Sequence, residues 1–363
     1  MGQLEMTVKK LNDSILTSLQ KKNRKQIQVW LYSILLLCLA IVLVGGATRL
    51  TGSGLSITEW KPIHGVIPPI GVEQWQEEFL KYQQIAQYKL LNRDMTLSAF
   101  KTIFWWEWAH RVLGRLVGLV ALFGLIWFWV TKRIEKNILF QLAVVPILIA
   151  LQGFIGWWMV ASGIGQSNLT SVSQYRLAFH LITACFVIIF VTYLARGLAH
   201  YSEKPANQKV QSFAGWLVIL ILIEIYLGAL VAGLHAGKVY NTWPLMDGQI
   251  VPDGLLQHNP VWINFFENPL TVQFIHRFFA YFLFITAVIH TLYVQRNVPH
   301  STHSRRAFVL CIMITIQAML GVLTLLHEVP ISLGLVHQSV ALGVLCFSVA
   351  HWRATKGAYP VVE

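Results

Sequence analysis

Eight stretches of about twenty nearly uncharged residues recur along the chain, at 29–47, 112–130, 138–160, 177–195, 213–232, 274–294, 307–326 and 331–350. At ~1.5 Å rise per residue, each is long enough to cross a ~30 Å hydrocarbon layer as a helix. The pattern predicts an all-α integral membrane protein with eight transmembrane helices. Pro146 could kink the third.

The small and polar residues inside this pattern come twice. "GGATRLTGSGLSITEW" after the first span and "GALVAGLHAGKVYNTW" after the fifth align Gly45 with Gly228, Gly54 with Gly237 and Trp60 with Trp243, all at one constant offset. The second span opens with "EWAHR" and the sixth with "QFIHR"; the third and seventh match Gln152 to Gln317 and Gly156 to Gly321. His110 is separated from His276 by nearly the same length of chain as His180 from His337, the difference being no more than a loop insertion. Such a repeat predicts two tandem pseudo-symmetric four-helix bundles in one orientation. The expected divisions are a tail at 1–27, an N-terminal bundle at 28–200 with a long exported loop at 48–109, and a C-terminal bundle at 201–363. In that loop "GVEQWQEEFLKYQQIAQYKLLNRD" reads as amphipathic helix, with Trp75, Phe79, Tyr82 and Tyr88 set either on the membrane surface or in a lid.

Composition agrees: 55% hydrophobic and 12% charged residues, with mean hydropathy +0.57, exclude a disordered chain and argue against a soluble enzyme. The net charge of +12 sits mostly in alternate connections, "KKNRKQ", "TKRIEK", the segment 196–209, "QRNVPHSTHSRR" and "HWRATK". The positive-inside rule puts these and both termini in the cytoplasm and removes the case for nucleic-acid binding. Cys38, Cys185, Cys311 and Cys346 all fall in spans, so the loops offer neither a disulfide nor a redox Cys pair.

The even-numbered spans run the same way, and His110, His180, His276 and His337 lie in their first turns. Each half therefore holds two imidazoles at one depth on helices able to face each other. An apolar bundle with opposed imidazoles is suited to hold haem iron through both axial positions. A single histidine there would be an interfacial residue; the recurrence favours ligation. Arg111, Arg115 and Arg277 stand beside them, where haem propionates seek guanidinium, although Arg115 is equally a snorkelling side chain. Glu107 precedes His110 by one helical turn and shares its helix face, whereas the second half has Gln273 there. Arg176 faces Leu333 in the repeat. The first pocket thus has the means for chemistry, the second for electron handling. A single Glu-x-x-His is too little for a di-iron site.

His290 and His351 each stand about four turns, roughly 21 Å, further along the helices of His276 and His337. They suit either a second haem or interfacial positions, and Gly124 and Leu194 stand there in the first half. Glu224, in mid-span, reads as part of a proton route or as a structural hydrogen-bonding group. Arg49 and Lys61 are candidates to hold propionates or the loop.

Taken together, "GGATRLTGSGLSITEWKPIHGVIPP", "EWAHRVLGRLVG", "LQGFIGWWMVASGI", "YRLAFHL" and "QFIHR" resemble the haem A synthase family over nearly the whole chain, in its proteobacterial and mitochondrial branch, which lacks an exported cysteine pair. The resemblance implies a bacterial inner-membrane enzyme. It would oxidise a ring methyl of haem O to a formyl group through an alcohol, giving haem A for cytochrome c oxidase assembly. By the same resemblance Glu107 is catalytic, and His110, His180, Arg111, Arg115 and Arg176 bind the substrate haem. His276 and His337 ligate a haem b, with Arg277 at its propionates. The implied partners are haem O synthase and an electron acceptor or donor, in the membrane or ferredoxin-like; a homo-oligomer is compatible. A di-haem cytochrome taking electrons from quinol and a haem transporter or delivery protein are the rival readings.

Overall fold

The computed structural model describes residues 16–60, 64–164, 167–199 and 205–359. Among these, eight long helices contain the eight apolar stretches, and each is apolar enough to cross a membrane. They are α1 (Ser18–Leu50), α4 (Leu97–Val130), α5 (Lys136–Val160), α6 (Gln174–Gly197), α7 (Gln208–Gly233), α8 (Pro269–Asn297), α9 (Thr302–Leu326) and α10 (Ile331–Thr355). Two short helices, α2 (Val72–Tyr82) and α3 (Ala86–Leu91), lie between α1 and α4. Pro146 is accommodated without interrupting α5.

The helices overrun the apolar stretches where polar caps satisfy their ends. Thr17 and Gln20 form a reciprocal capping box that starts α1 at Ser18, inside the segment read as tail. Thr96 accepts from Ala99 N and starts α4 at Leu97, well inside the expected loop. Asn207, Asn268 and Ser301 cap α7, α8 and α9 in the same manner.

Packing follows the repeat. In the first half α1, α4, α5 and α6 form a closed ring in chain order, and α7, α8, α9 and α10 do the same in the second. The second and fourth helices of each ring therefore lie diagonally across it. The halves meet through the first and fourth helices of each, α6 on α7, α1 on α10 and α6 on α10. The first two of these contacts are equivalents under the repeat, as a two-fold relation between the halves requires. Leu31, Ile34, Cys185, Ile188, Leu217 and Leu345 are buried in this shared core. Phe123, Trp127, Phe140, Phe186, Trp216 and Met319 point outward, the expected arrangement where the surrounding solvent is lipid.

The segment between α1 and α4 rests on the protein. Trp75 and Tyr82 of α2 are buried against Phe100 and Phe104 of α4, with ring centroids 4.9 Å apart for Trp75 and Phe104 and 5.3 Å for Tyr82 and Phe100. Phe79 and Tyr88 join the same aromatic cluster. Of the two placements open to these aromatics, the membrane surface gives way to an apolar face of α4 that projects beyond the span and needs covering. Lys81 fastens α2 to the loop through Glu59 at 3.1 Å, alongside Glu77 and Glu78 of its own helix. Its partial desolvation would lower the ammonium pKa, but the three carboxylates outweigh this and raise it above the ordinary lysine value.

At the opposite end Arg24 forms a bidentate pair with Glu135, at 2.5 and 2.6 Å, and donates to the Tyr359 carbonyl at 3.1 Å. That ties the start of α1 to the turn before α5 and to the segment following α10.

Candidate functional site

Each of the four histidines is seated on a glycine of the preceding helix in its ring. A methyl added at Gly45 would stand 2.8 Å from Cε1 of His110, one at Gly156 2.9 Å from His180, one at Gly228 3.3 Å from His276, and one at Gly321 3.0 Å from His337. The four glycines are among those that align between the halves, Gly45 with Gly228 and Gly156 with Gly321. Their bare backbone lets a flat ring lie against the neighbouring helix and turn into the bundle. His110 and His180 come from the diagonal helices α4 and α6, His276 and His337 from α8 and α10.

Paired glutamines hold the fourth-helix histidines. Gln152 Nε2 donates to the His180 carbonyl at 2.7 Å and lies 3.0 Å from its Nδ1; Gln317 Nε2 lies 3.0 Å from Nδ1 of His337. The second-helix histidines are treated differently. His110 Nδ1 is buried without a hydrogen bond, and Glu224 stands 3.0 Å from Nδ1 of His276.

Above the rings an arginine latches the loop in each half. Arg111 donates to the carbonyls of Ile57 (2.8 Å) and Glu59 (3.0 Å); Arg277 donates to those of Tyr240 (2.8 Å) and Thr242 (2.8 Å). These acceptors pair at the same offset as the aligned glycines and tryptophans of the two loops, so the repeat holds down to single hydrogen bonds. The same guanidiniums reach back one turn. Arg111 grips Oε1 of Glu107 through Nε (3.1 Å) and Nη2 (2.7 Å), and Arg277 Nη2 donates to Gln273 Oε1 at 3.3 Å.

Here the halves part. The other oxygen of Glu107 accepts from the Ser56 hydroxyl (2.8 Å) and the Ile57 amide (2.9 Å). Gln273 instead donates, to the carbonyls of Ala236 and Tyr240, both at 3.1 Å. One loop is built to receive a carboxylate and the other an amide. Glu107 is 3% exposed, so the first half carries a buried carboxylate paired with a guanidinium where the second sets the neutral Gln273 amide against its arginine. Beside the first latch opens a cavity of ≈ 290 Å³, lined by Thr58, Glu59, Trp60, Arg111, Trp157 and Ile164 among others.

Arg111 and Arg277 are thus occupied with the loops. Arg115 sits one turn beyond Arg111, partly exposed. Arg176 is turned toward α5, donating to the Trp158 carbonyl at 2.8 Å with its guanidinium 4.6 Å from the Trp158 ring. Arg49 neighbours His235 of the other half; burial, then the charges of Arg49 and Lys238, depress the His235 imidazole pKa below its ordinary value. Lys61 lies outside the described residues.

His290 and His351 are fully buried and bonded to each other, Nε2 to Nε2 at 3.1 Å, with Phe213 stacked edge-on at 4.7 Å. Each Nε2 is satisfied by the other, and the two rings stand buried within the bundle rather than at its interface. In the first half Trp30 fills this level over Gly124, its indole donating to the Val120 carbonyl at 2.9 Å. No hydrogen bond joins His110 to His180, or His276 to His337, among the described residues. Those two pairs, diagonal, glycine-seated and not spent on each other, fit the axial positions of an iron porphyrin.

Sequence reasoning missed the ring seats, the glutamine contacts and Ser56. The aligned glycines and glutamines were the available signal for the first two; Ser56 has Val239 as its counterpart and gave none.

A family model described as cytochrome oxidase assembly protein, COX15-CtaA, matches residues 28–349. A protein of Bartonella tribocorum named heme A synthase is 87% identical over 358 residues, covering 99% of this chain and 100% of the relative. Proteins of the same name from Bartonella henselae and Brucella anthropi are 83% and 56% identical, covering 99% and 97% of this chain and 100% and 98% of the relatives.

Proposed function

The chain belongs to the COX15-CtaA family of cytochrome oxidase assembly proteins, and from that premise we propose that it works as a haem A synthase. It is a multi-pass bacterial membrane oxidoreductase that converts haem O to haem A for cytochrome c oxidase. One ring methyl and one water become a formyl group, releasing four protons and four electrons in two two-electron stages through an alcohol.

The observation that carries the assignment of roles is the unequal furnishing of two otherwise equivalent sites. Haem O is bound in the first half, its iron between His110 and His180, with Arg115 and Arg176 at the polar boundary for its propionates. Arg111 and Ser56 fix the Glu107 carboxylate toward that pocket. A methyl losing electrons develops positive charge at carbon, and a fixed anion nearby stabilises that charge and orients the incoming water. All of Glu107's hydrogen bonds come from donors, so a proton it accepts must displace one of them. Ser56 is the neutral, exchangeable member. The Arg111 latch keeps the loop over the site and limits water to what the reaction consumes.

In the second half His276 and His337 would hold a haem b, with Arg277 available to its propionates, and that group would supply reversible one-electron chemistry. Gln273 puts no carboxylate at the position that Glu107 holds in the first half, which suits electron handling. Both termini are placed in the cytoplasm, on the strength of the basic connections at that end. Haem O arrives from haem O synthase, and the electrons leave to an acceptor in the membrane or to a ferredoxin-like protein.

The rivals fare less well. Transporters commonly break helices around a midplane site, whereas all eight helices here are continuous. An electron-transferring cytochrome has no use for the Glu107 and Gln273 asymmetry. Pigment extracted after co-expression with a haem O source tests the proposal. Formylated haem is the expected product; unchanged haem O with rapid reduction by quinol would overturn it.

A further inference from the structure

Glu224 lies in the middle of α7, one turn before Gly228 and on the same helix face. Gly228 makes room for the His276 ring, and Glu224 places Oε1 3.0 Å from that ring's Nδ1. Both side chains are largely buried, 15% and 23% exposed, and the contact is oblique, leaving Nδ1 of His276 and Oε2 of Glu224 without a hydrogen bond. The equivalent position in the first half is Ile41, whose backbone lies against His110. A carboxylate in mid-span is expensive and persists when it has a task. Here the task faces one ring of the four.

We infer that Glu224 is a positioning residue for His276, accepting its Nδ1–H and lending the imidazole anionic character, so that iron held by His276 and His337 favours the ferric state. The inference rests on the haem b assignment above. A metal-bound imidazole donates its second N–H to an outer partner, and an anionic partner raises the ligand's basicity and stabilises the higher charge on the metal. Once Nε2 is committed to iron, Nδ1 must carry the proton, and a turn of the ring about its Cβ–Cγ bond aligns it with Oε1. The first half lacks this device: an apolar side chain stands at the equivalent position, and the His110 ring meets only the neutral backbone of Ile41.

The experiment is a potentiometric titration of the purified, haem b-loaded full-length protein, compared with Glu224→Gln, which keeps shape without charge, and Glu224→Ile, which copies the first half. The expected result is an unchanged haem b content with bis-imidazole spectra retained. The preference for ferric over ferrous haem b should fall at least tenfold in Glu224→Ile, an upward shift of about 59 mV or more for one electron. Glu224→Gln should shift in the same direction by less, and its ferric electron paramagnetic resonance g-values should move with it. Haem b that stays bound in both variants with an unmoved potential overturns the inference alone. Haem b that stays bound and spectrally unaltered in His276→Ala overturns the ligand assignment, and the inference with it.

Discussion

Function at the scale of single residues depends on small groups that clear or orient larger ones. The His110 ring would be struck at 2.8 Å by a methyl on Gly45, whereas His276 would be approached only to 3.3 Å by one on Gly228. In each case the atom struck is the end of a side chain, so the fold can yield; at Gly45 the ring must turn away, whereas at Gly228 a shift of a few tenths of an ångström suffices. Gly45→Ala should leave stability within about 1 kcal/mol yet lower occupancy of the first pocket by roughly 10-fold or more. Gly228→Ala should bind haem b nearly as well as the parent. Absorbance-based haem titration of both variants checks the contrast; equal behaviour would contradict it. The histidines, Glu107 and the paired arginines were legible because their residue types are costly in a membrane and recur. The seats were visible as aligned glycines, but a glycine does not announce what lies on it. Ser56 was illegible, since a lone serine in a Gly-rich loop looks like turn chemistry.

Elements were easier to read than their ends. Apolar length fixes where a helix must cross lipid, but nothing in it says how far the helix continues outside. Caps decide that: Thr96 starts α4 early enough to carry Glu107 well inside a continuous helix. The amphipathic stretch was recognisable, but its partner was not, because α2 aromatics that would suit a membrane surface suit Phe100 and Phe104 equally well. The loop that α2 fastens is also the loop Arg111 latches, through Ile57 and Glu59. Arg111→Leu should therefore free the loop and strand Glu107, at a cost of about 3–5 kcal/mol for breaking a buried pair. Hydrogen exchange over 52–60 should accelerate in that variant while α2 and α4 stay protected. Unchanged exchange in the loop would remove the latch from the account.

Two rings of four helices, joined through their first and fourth members, give the described residues a repeated scaffold whose halves share their histidines and ring seats and differ at most other positions. The duplication was legible in the spacing of His110, His276, His180 and His337; the pairing across the interface was not, because apolar helix faces in a membrane carry little record of which neighbour they meet. The differences that bear on function include Glu107 for Gln273, Arg176 for Leu333, Ser56 for Val239 and Ile41 for Glu224, with Gly124 and Leu194 where the second half has His290 and His351. On the proposed reading they separate a site for oxidation from a site for electrons on one scaffold. The most direct measurement is the pigment content of purified protein, parent and Glu107→Gln, made with a supply of haem O. One haem b per chain is expected in both, with formylated product from the parent and bound but unoxidised haem O in the variant, product falling by about 100-fold or more. Undiminished haem A from Glu107→Gln would contradict the division of labour between the halves.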